Sequence, residues 1–315
     1  KECLRLVKER KKNGKDTKEN GTKSGKKEKP RQEEEDKEDC PICCDALPKI
    51  SNQFSRLTCC GKGLHIKCYN DLLENKSMTL EQKDTCIMCR TKQTEPGSKE
   101  DIKRLDGWVK KKKVWAMSML AQRYRKGLGV KQSDTKTIEL YEMAAKRGDA
   151  TSQASLGVFY DQGSHGLTQS SKRAFEYYTL AAKQGNVEVQ FVLGNMYYKG
   201  EVTEQSYSKA IELYEMAAKG GQPNAQYILG LLYKQGMHGL TQSSKRAIEY
   251  YTSAAEQDNS DAQYSLGCMY ANGNGVNQSY SKAREWFTKA AAQGQGAAIE
   301  GLKQLDLLLK KYKRS

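Results

Sequence analysis

The sequence predicts a mostly α-helical protein, an α-solenoid of helix-turn-helix repeats preceded by a small cysteine-rich module and a disordered leader. Three observations carry this expectation. Leu-Gly pairs return at Leu156-Gly157, Leu193-Gly194, Leu229-Gly230 and Leu266-Gly267, spaced by 37, 36 and 37 residues. Alanine pairs return beside them, at Ala144-Ala145, Ala181-Ala182, Ala217-Ala218, Ala254-Ala255 and Ala290-Ala291. Fixed periods of this length are the signature of stacked repeats. Most of the cysteines, finally, crowd between Cys40 and Cys89 at spacings suited to metal binding.

Composition narrows the class further. Only 37% of the 315 residues are hydrophobic and 29% are charged, which favours several modest cores over one large one. No apolar run approaches the about 20 residues of a membrane span, and the start, at Lys1, lacks the apolar stretch of a secretory signal. Ten cysteines in such a chain point to a reducing, intracellular setting, cytoplasmic or nuclear. The net charge of +15 gathers in Lys1–Arg31, Lys110–Lys113 and Lys310–Arg314 without interleaved aromatics. It reads as solvated charge, and a nucleic-acid partner is not expected.

The elements come in this order. Residues 1–39 are rich in Lys, Glu, Gly and Asn, cannot bury enough apolar surface to offset ordering entropy, and read as disordered. Residues 40–92 form the cysteine module. After a turn at Pro96-Gly97, Ser98 looks like an N-cap for a linking and capping helix over 98–113, with Ile102, Leu105 and Val109 on one face. Five repeats span 114–295, divided as 114–149, 150–186, 187–222, 223–259 and 260–295. A C-terminal capping helix covers 296–315, with Ile299, Leu302, Leu305 and Leu309 at helical spacing.

Each repeat reads as two helices. In the second, helix A spans about Ala150 to Asp161 and helix B about Ser171 to Gln184. Glycine inside helix A costs about 1 kcal/mol relative to alanine, so its return implies close helix packing, for which the alanine pair is the expected matching surface. A tyrosine follows each glycine by three, at Tyr160, Tyr197, Tyr233 and Tyr270. The segment His165 to Ala174 recurs at His238 to Ala247, so the two histidines read as duplicated loop polar groups. Cys268 reads as core. This pattern resembles the Sel-1-like repeat, a relative of the tetratricopeptide repeat, with departures at Ala121 and Asp258. The resemblance implies an extended concave face suited to a protein or peptide.

The cysteine module has the order Cys40-x2-Cys43, Cys59-Cys60, His65-x2-Cys68 and Cys86-x2-Cys89. Eight candidate ligands in four pairs suit two Zn2+ ions, since structural zinc takes four tetrahedral sulfur or imidazole ligands. The order is shared by plant-homeodomain and RING-CH fingers, but Lys83-Asp84-Thr85 stands where the former carry tryptophan, and the latter have a longer gap before the histidine. The segment resembles RING fingers whose second pair is two adjacent cysteines. That resemblance implies a cross-brace, with Cys40, Cys43, His65 and Cys68 on one zinc and Cys59, Cys60, Cys86 and Cys89 on the other. It also implies contacts to a ubiquitin-conjugating enzyme through Ile42, Leu72, Leu73 and Ile87, with Arg90 bridging to ubiquitin.

The combined expectation is a RING-type ubiquitin-protein ligase. It would recruit the conjugating enzyme through the finger and a protein substrate through the repeats, catalysing by orientation without a covalent intermediate. The alternative expectation is a non-enzymatic zinc-binding adaptor.

Overall fold

The computed structural model describes residues 54–56, 63–65 and 94–312. The chain divides into two compact units, residues 1–152 and 153–315.

In the first unit, strands β1 (Phe54–Arg56) and β2 (Gly63–His65) pair antiparallel, Phe54 opposite His65. Helices α1 (Lys99–Lys110), α2 (Val114–Lys126) and α3 (Asp134–Ala145) come next. Ser98 caps α1 by accepting from the Asp101 amide. Asp101 is itself buried, and its Oδ2 accepts from Arg123 Nε at 3.0 Å and from the Gly97 amide at 2.9 Å. That ion pair ties α1 to α2 around Leu105, Met117 and Leu120, all buried.

The second unit is built of helix pairs. From α4 (Ala150–Gln162), whose first three residues are counted with the first unit, the order is α5 (Ser171–Lys183), α6 (Val187–Lys199), α7 (Tyr207–Lys219), α8 (Pro223–Gln235), α9 (Ser244–Ala255), α10 (Ser260–Asn272) and α11 (Tyr280–Ala292). Helix α12 (Gly296–Tyr312) ends the series. Helices α6, α8 and α10 each stop at a glycine in the left-handed region, Gly200, Gly236 and Gly273, a conformation that costs glycine little.

Each repeat shares part of its core with the next. Ala210, Tyr214, Ala217 and Ala218 of α7 pack with Ala225, Leu229 and Leu232 of α8, in the next repeat. The same arrangement joins α5 to α6 and α9 to α10. Burying each large apolar side chain is worth about 1.5–3 kcal/mol, and here part of that gain comes only when two repeats stack. A buried glutamine reinforces each junction. Gln190, Gln226 and Gln263 donate from Nε2 to the carbonyls of Ala182, Ala218 and Ala255, each at 3.1 Å. These carbonyls end helix B of the preceding repeat, where each also accepts one backbone amide, from Gly185, Gly221 or Asp258; the glutamine fills the second acceptor position.

Two expectations need correcting. The recurring glycine does not face the alanine pair. A Cβ on Gly157, Gly194, Gly230 or Gly267 would lie 2.4 to 2.7 Å from the ring of Tyr178, Tyr214, Tyr251 or Phe287; the alanines serve the junction to the next repeat instead. The fold class is corrected too, from a solenoid carrying an N-terminal two-zinc cross-brace to a stack of helix-turn-helix repeats that is all-α from α1 onward. Among the described residues no group of three or more His, Cys, Asp or Glu could hold a metal ion. The ligand positions Cys40, Cys43, Cys59, Cys60, Cys68, Cys86 and Cys89, the side chain of His65, and the contact positions Ile42, Leu72, Leu73, Ile87 and Arg90 lie outside the described residues.

Candidate functional site

Each helix B begins with a short circuit of three residues. The serine before it (Ser133, Ser170, Ser206, Ser243 or Ser279) donates its amide to the carbonyl of the helix A tyrosine, at 2.8 to 3.2 Å. The serine Oγ accepts from the amide three residues on, that of Lys136, Arg173, Lys209, Arg246 or Lys282. The cation on that residue then lies over the ring of the same tyrosine. The distances are 4.8 Å for Lys136 on Tyr124, 5.2 Å for Arg173 on Tyr160, and 5.1 Å for Lys209 on Tyr197, Arg246 on Tyr233 and Lys282 on Tyr270. Such contacts are worth about 0.5–1 kcal/mol at exposed sites, enough to restrict a side chain that would otherwise sample many rotamers.

The arginine members are held more firmly. Arg173 Nη1 donates to Tyr160 Oη at 3.1 Å and Arg246 Nη1 to Tyr233 Oη at 3.0 Å. One turn along, Tyr177 stacks on Tyr160 and Tyr250 on Tyr233, with centroids 5.7 Å apart. A glutamine fixes the connection from behind: Gln169, Gln205, Gln242 and Gln278 donate to carbonyls in the last turn of helix A at 2.8 to 3.0 Å.

In the second unit this leaves four cations, Arg173, Lys209, Arg246 and Lys282, exposed at equivalent places on successive repeats. Glu176, Glu212, Glu249 and Glu285, one turn later on each helix B, are exposed as well. Another turn on, Leu180 and Met216 are 46% and 44% exposed. The surface of helix B therefore carries a basic row, an acidic row and an apolar spot. Chemically it can pair with charged side chains and cover apolar ones; among the described residues it presents no nucleophile with an adjacent base.

The loop histidines are more than duplicated polar groups. His238 stacks on Tyr207 with centroids 3.6 Å apart, and its Nε2 lies 3.1 Å from Tyr198 Oη. His165 packs on Phe159 at 4.2 Å. Cys268 is half-buried, packed against the core cluster of Phe287 and Leu305, and lines a cleft beside α12. Burial raises the phenol pKa of Tyr178, Tyr214 and Tyr251 above the usual value, with smaller contributions from Asp161, Tyr198 and Tyr227 respectively.

The tyrosine–cation circuit escaped sequence reasoning, although its signal was present. A serine, two residues and a Lys or Arg recur at the start of every helix B, and the serine stands nine or ten residues after the tyrosine of helix A.

Comparison with known proteins agrees with this geometry. Residues 116–149, 150–186, 187–222, 223–259 and 260–295 each match the Sel1 repeat. The crystal structure of a Sel1 repeat protein from Oxalobacter formigenes is 29% identical, with a TM-score of 0.58, covering 64% of this chain and 80% of that one. A protective antigen present in uropathogenic Escherichia coli strains, displaying an SLR fold, is 28% identical with a TM-score of 0.46. That match covers 67% of this chain and 52% of the antigen, so the chain spans about half its length. No curated protein matches.

These findings overturn the reading of the chain as a RING-type ligase, and with it the zinc-binding adaptor. The family match lies on the repeats, and the described residues hold no metal cluster. Two Zn2+ cofactors, transferase activity, and partnership with a conjugating enzyme and ubiquitin lose their support together, because all rested on the cysteine spacing. Matched over more than half of its length, the chain belongs to the Sel1 repeat family.

Proposed function

We propose that this protein is a non-catalytic scaffold that captures a protein segment on the outer face of its helix B row. One observation carries the reading: the same exposed cation recurs on successive repeats, each pinned across a tyrosine ring. Pinning lowers the entropy lost when the cation meets a carboxylate, so binding costs less than with free lysines. The parallel row of Glu176, Glu212, Glu249 and Glu285 suits a partner of mixed charge and disfavours a uniformly acidic one. The exposed Leu180 and Met216 supply apolar contact near one end.

Among the described residues no helix is long and apolar enough to cross a membrane. An intracellular setting, cytoplasmic or nuclear, belongs to this proposal; there a thiol such as Cys268 stays reduced.

Charge reversal tests the reading. Arg173→Glu combined with Arg246→Glu removes two exposed pinned cations while leaving the buried Tyr160 and Tyr233 in place. The expected result is loss of at least tenfold in affinity for proteins retained by the native chain, with an unchanged circular dichroism spectrum. Retention of the same proteins at unchanged affinity would refute it.

A further inference from the structure

We propose that the cleft beside α12 is a seat for a histidine side chain presented by a partner protein segment. The proposal deepens the scaffold reading above and rests on it, but it uses different residues.

The template lies within the chain. In the third repeat Tyr207, the first residue of α7, is covered by the ring of His238 from the next repeat. Tyr198 stands edge-on to both rings, 5.2 Å from Tyr207 and 5.3 Å from His238. His238 reaches this place because α8 stops at Gly236 and the chain turns back through left-handed His238 (φ 54°) and Gly239 (φ 88°).

Tyr280 occupies the matching place in the fifth repeat. Both tyrosines stand in the sequence Gln-Ser-Tyr-Ser-Lys, at 205–209 and 278–282, and both come directly after the serine that caps their helix. The next helix differs between the two places. Helix α12 starts in the register of a helix A: Gln295 Oε1 accepts from the Ala298 amide at 2.8 Å, as Gln222 Oε1 accepts from the Ala225 amide at 2.7 Å. Counting from those alanines, Leu309 falls where Gly236 stands. Lacking the glycine, α12 runs on to Tyr312, and among the described residues no loop turns back over Tyr280.

The consequence is an open ring face. The Tyr280 hydroxyl accepts from Gln278 Nε2 at 3.1 Å, yet among the described residues no aromatic ring stacks on it, whereas Tyr207 carries His238. Ala271 replaces the second ring, that of Tyr198, and widens the space. The resulting cleft, of about 400 Å3, is lined by Tyr264, Cys268, Tyr280, Glu300, Gln304 and Leu308 among others. That volume admits one ring with a short stretch of backbone. Glu300 puts a carboxylate on the wall, engaged among the described residues at 3.6 Å by Lys303 and 3.4 Å by Gln304. An imidazole N–H can donate to it, in place of the Tyr198 hydroxyl used by His238.

The test titrates the full chain, by calorimetry, with an acetylated and amidated peptide copying residues 235–243. Saturable binding is expected, weakened at least tenfold by Tyr280→Ala, by Leu308→Trp, which fills the cleft, and by alanine in place of the peptide's histidine. Should Tyr280→Ala fail to fold, Leu308→Trp and the altered peptide decide the matter. Absence of binding, or binding indifferent to these changes, overturns the seat. Because Arg173 and Arg246 do not line the cleft, such a failure leaves their charge-reversal result intact.

Discussion

Gly230 lies flush against the ring of Tyr251: a Cβ placed on it would come within 2.6 Å of Cδ1 and Cε1. Tyr251 is fully buried, so the ring cannot swing aside. Gly230→Ala would gain about 1 kcal/mol in helix propensity but overpack the contact between α8 and α9 within the fourth repeat, at a cost of about 1–3 kcal/mol and occasionally more. The expected outcome is a lower urea midpoint. A raised midpoint would mean the helices can separate freely.

The phenols at this position are unequal. Tyr214 Oη donates to Asn195 Oδ1 at 2.7 Å, whereas the buried Tyr251 Oη has only the Ser265 hydroxyl beside it, without hydrogen-bond geometry. Leu231 occupies the place of Asn195. Tyr214→Phe should therefore cost about 1 kcal/mol, and Tyr251→Phe should be neutral or stabilising, as the native Phe287 suggests. Equal losses in chemical denaturation would disprove this difference.

Alkaline pH should unfold the second unit. Burial raises the phenol pKa of Tyr178, Tyr214 and Tyr251, so the folded state holds protons that the unfolded chain releases. The stability from these groups is complete below the unfolded value of about 10 and declines as pH climbs from there toward the folded values. Melting temperature tracked from pH 9 upward should fall, and less steeply once Tyr251 is replaced by phenylalanine.

In the first unit, Asp101→Ala would leave Arg123, itself 13% exposed, without its carboxylate. Breaking one side of a buried pair costs about 3–5 kcal/mol. Loss of the cooperative thermal transition of that unit is expected. A change below about 1 kcal/mol would show the pair to be solvent-screened.

The helix pairs were legible because Leu-Gly, Tyr and Ala-Ala mark them at fixed intervals, and Ser98 announces α1 by ordinary capping chemistry. What each marker touches was not legible. Periodicity says that Gly157 faces something bulky, but Tyr178 and Ala181 lie on the same helix, and only packing selects the ring. The buried Gln190, Gln226 and Gln263 looked like surface polar residues, since nothing local reveals that Nε2 reaches a carbonyl of the preceding repeat. The cysteine spacing misled more seriously. It suggested ligase chemistry for the whole chain, whereas the family match rests on the repeats.

Photocrosslinking weighs the scaffold account most directly. A benzophenone amino acid would replace Lys209, between the two pinned arginines, or Val158, exposed on the helix A α4. The account predicts a discrete adduct from position 209, abolished by Arg173→Glu with Arg246→Glu, and little from position 158. Equal adducts from both positions, or one at 209 that survives the charge reversal, would contradict it.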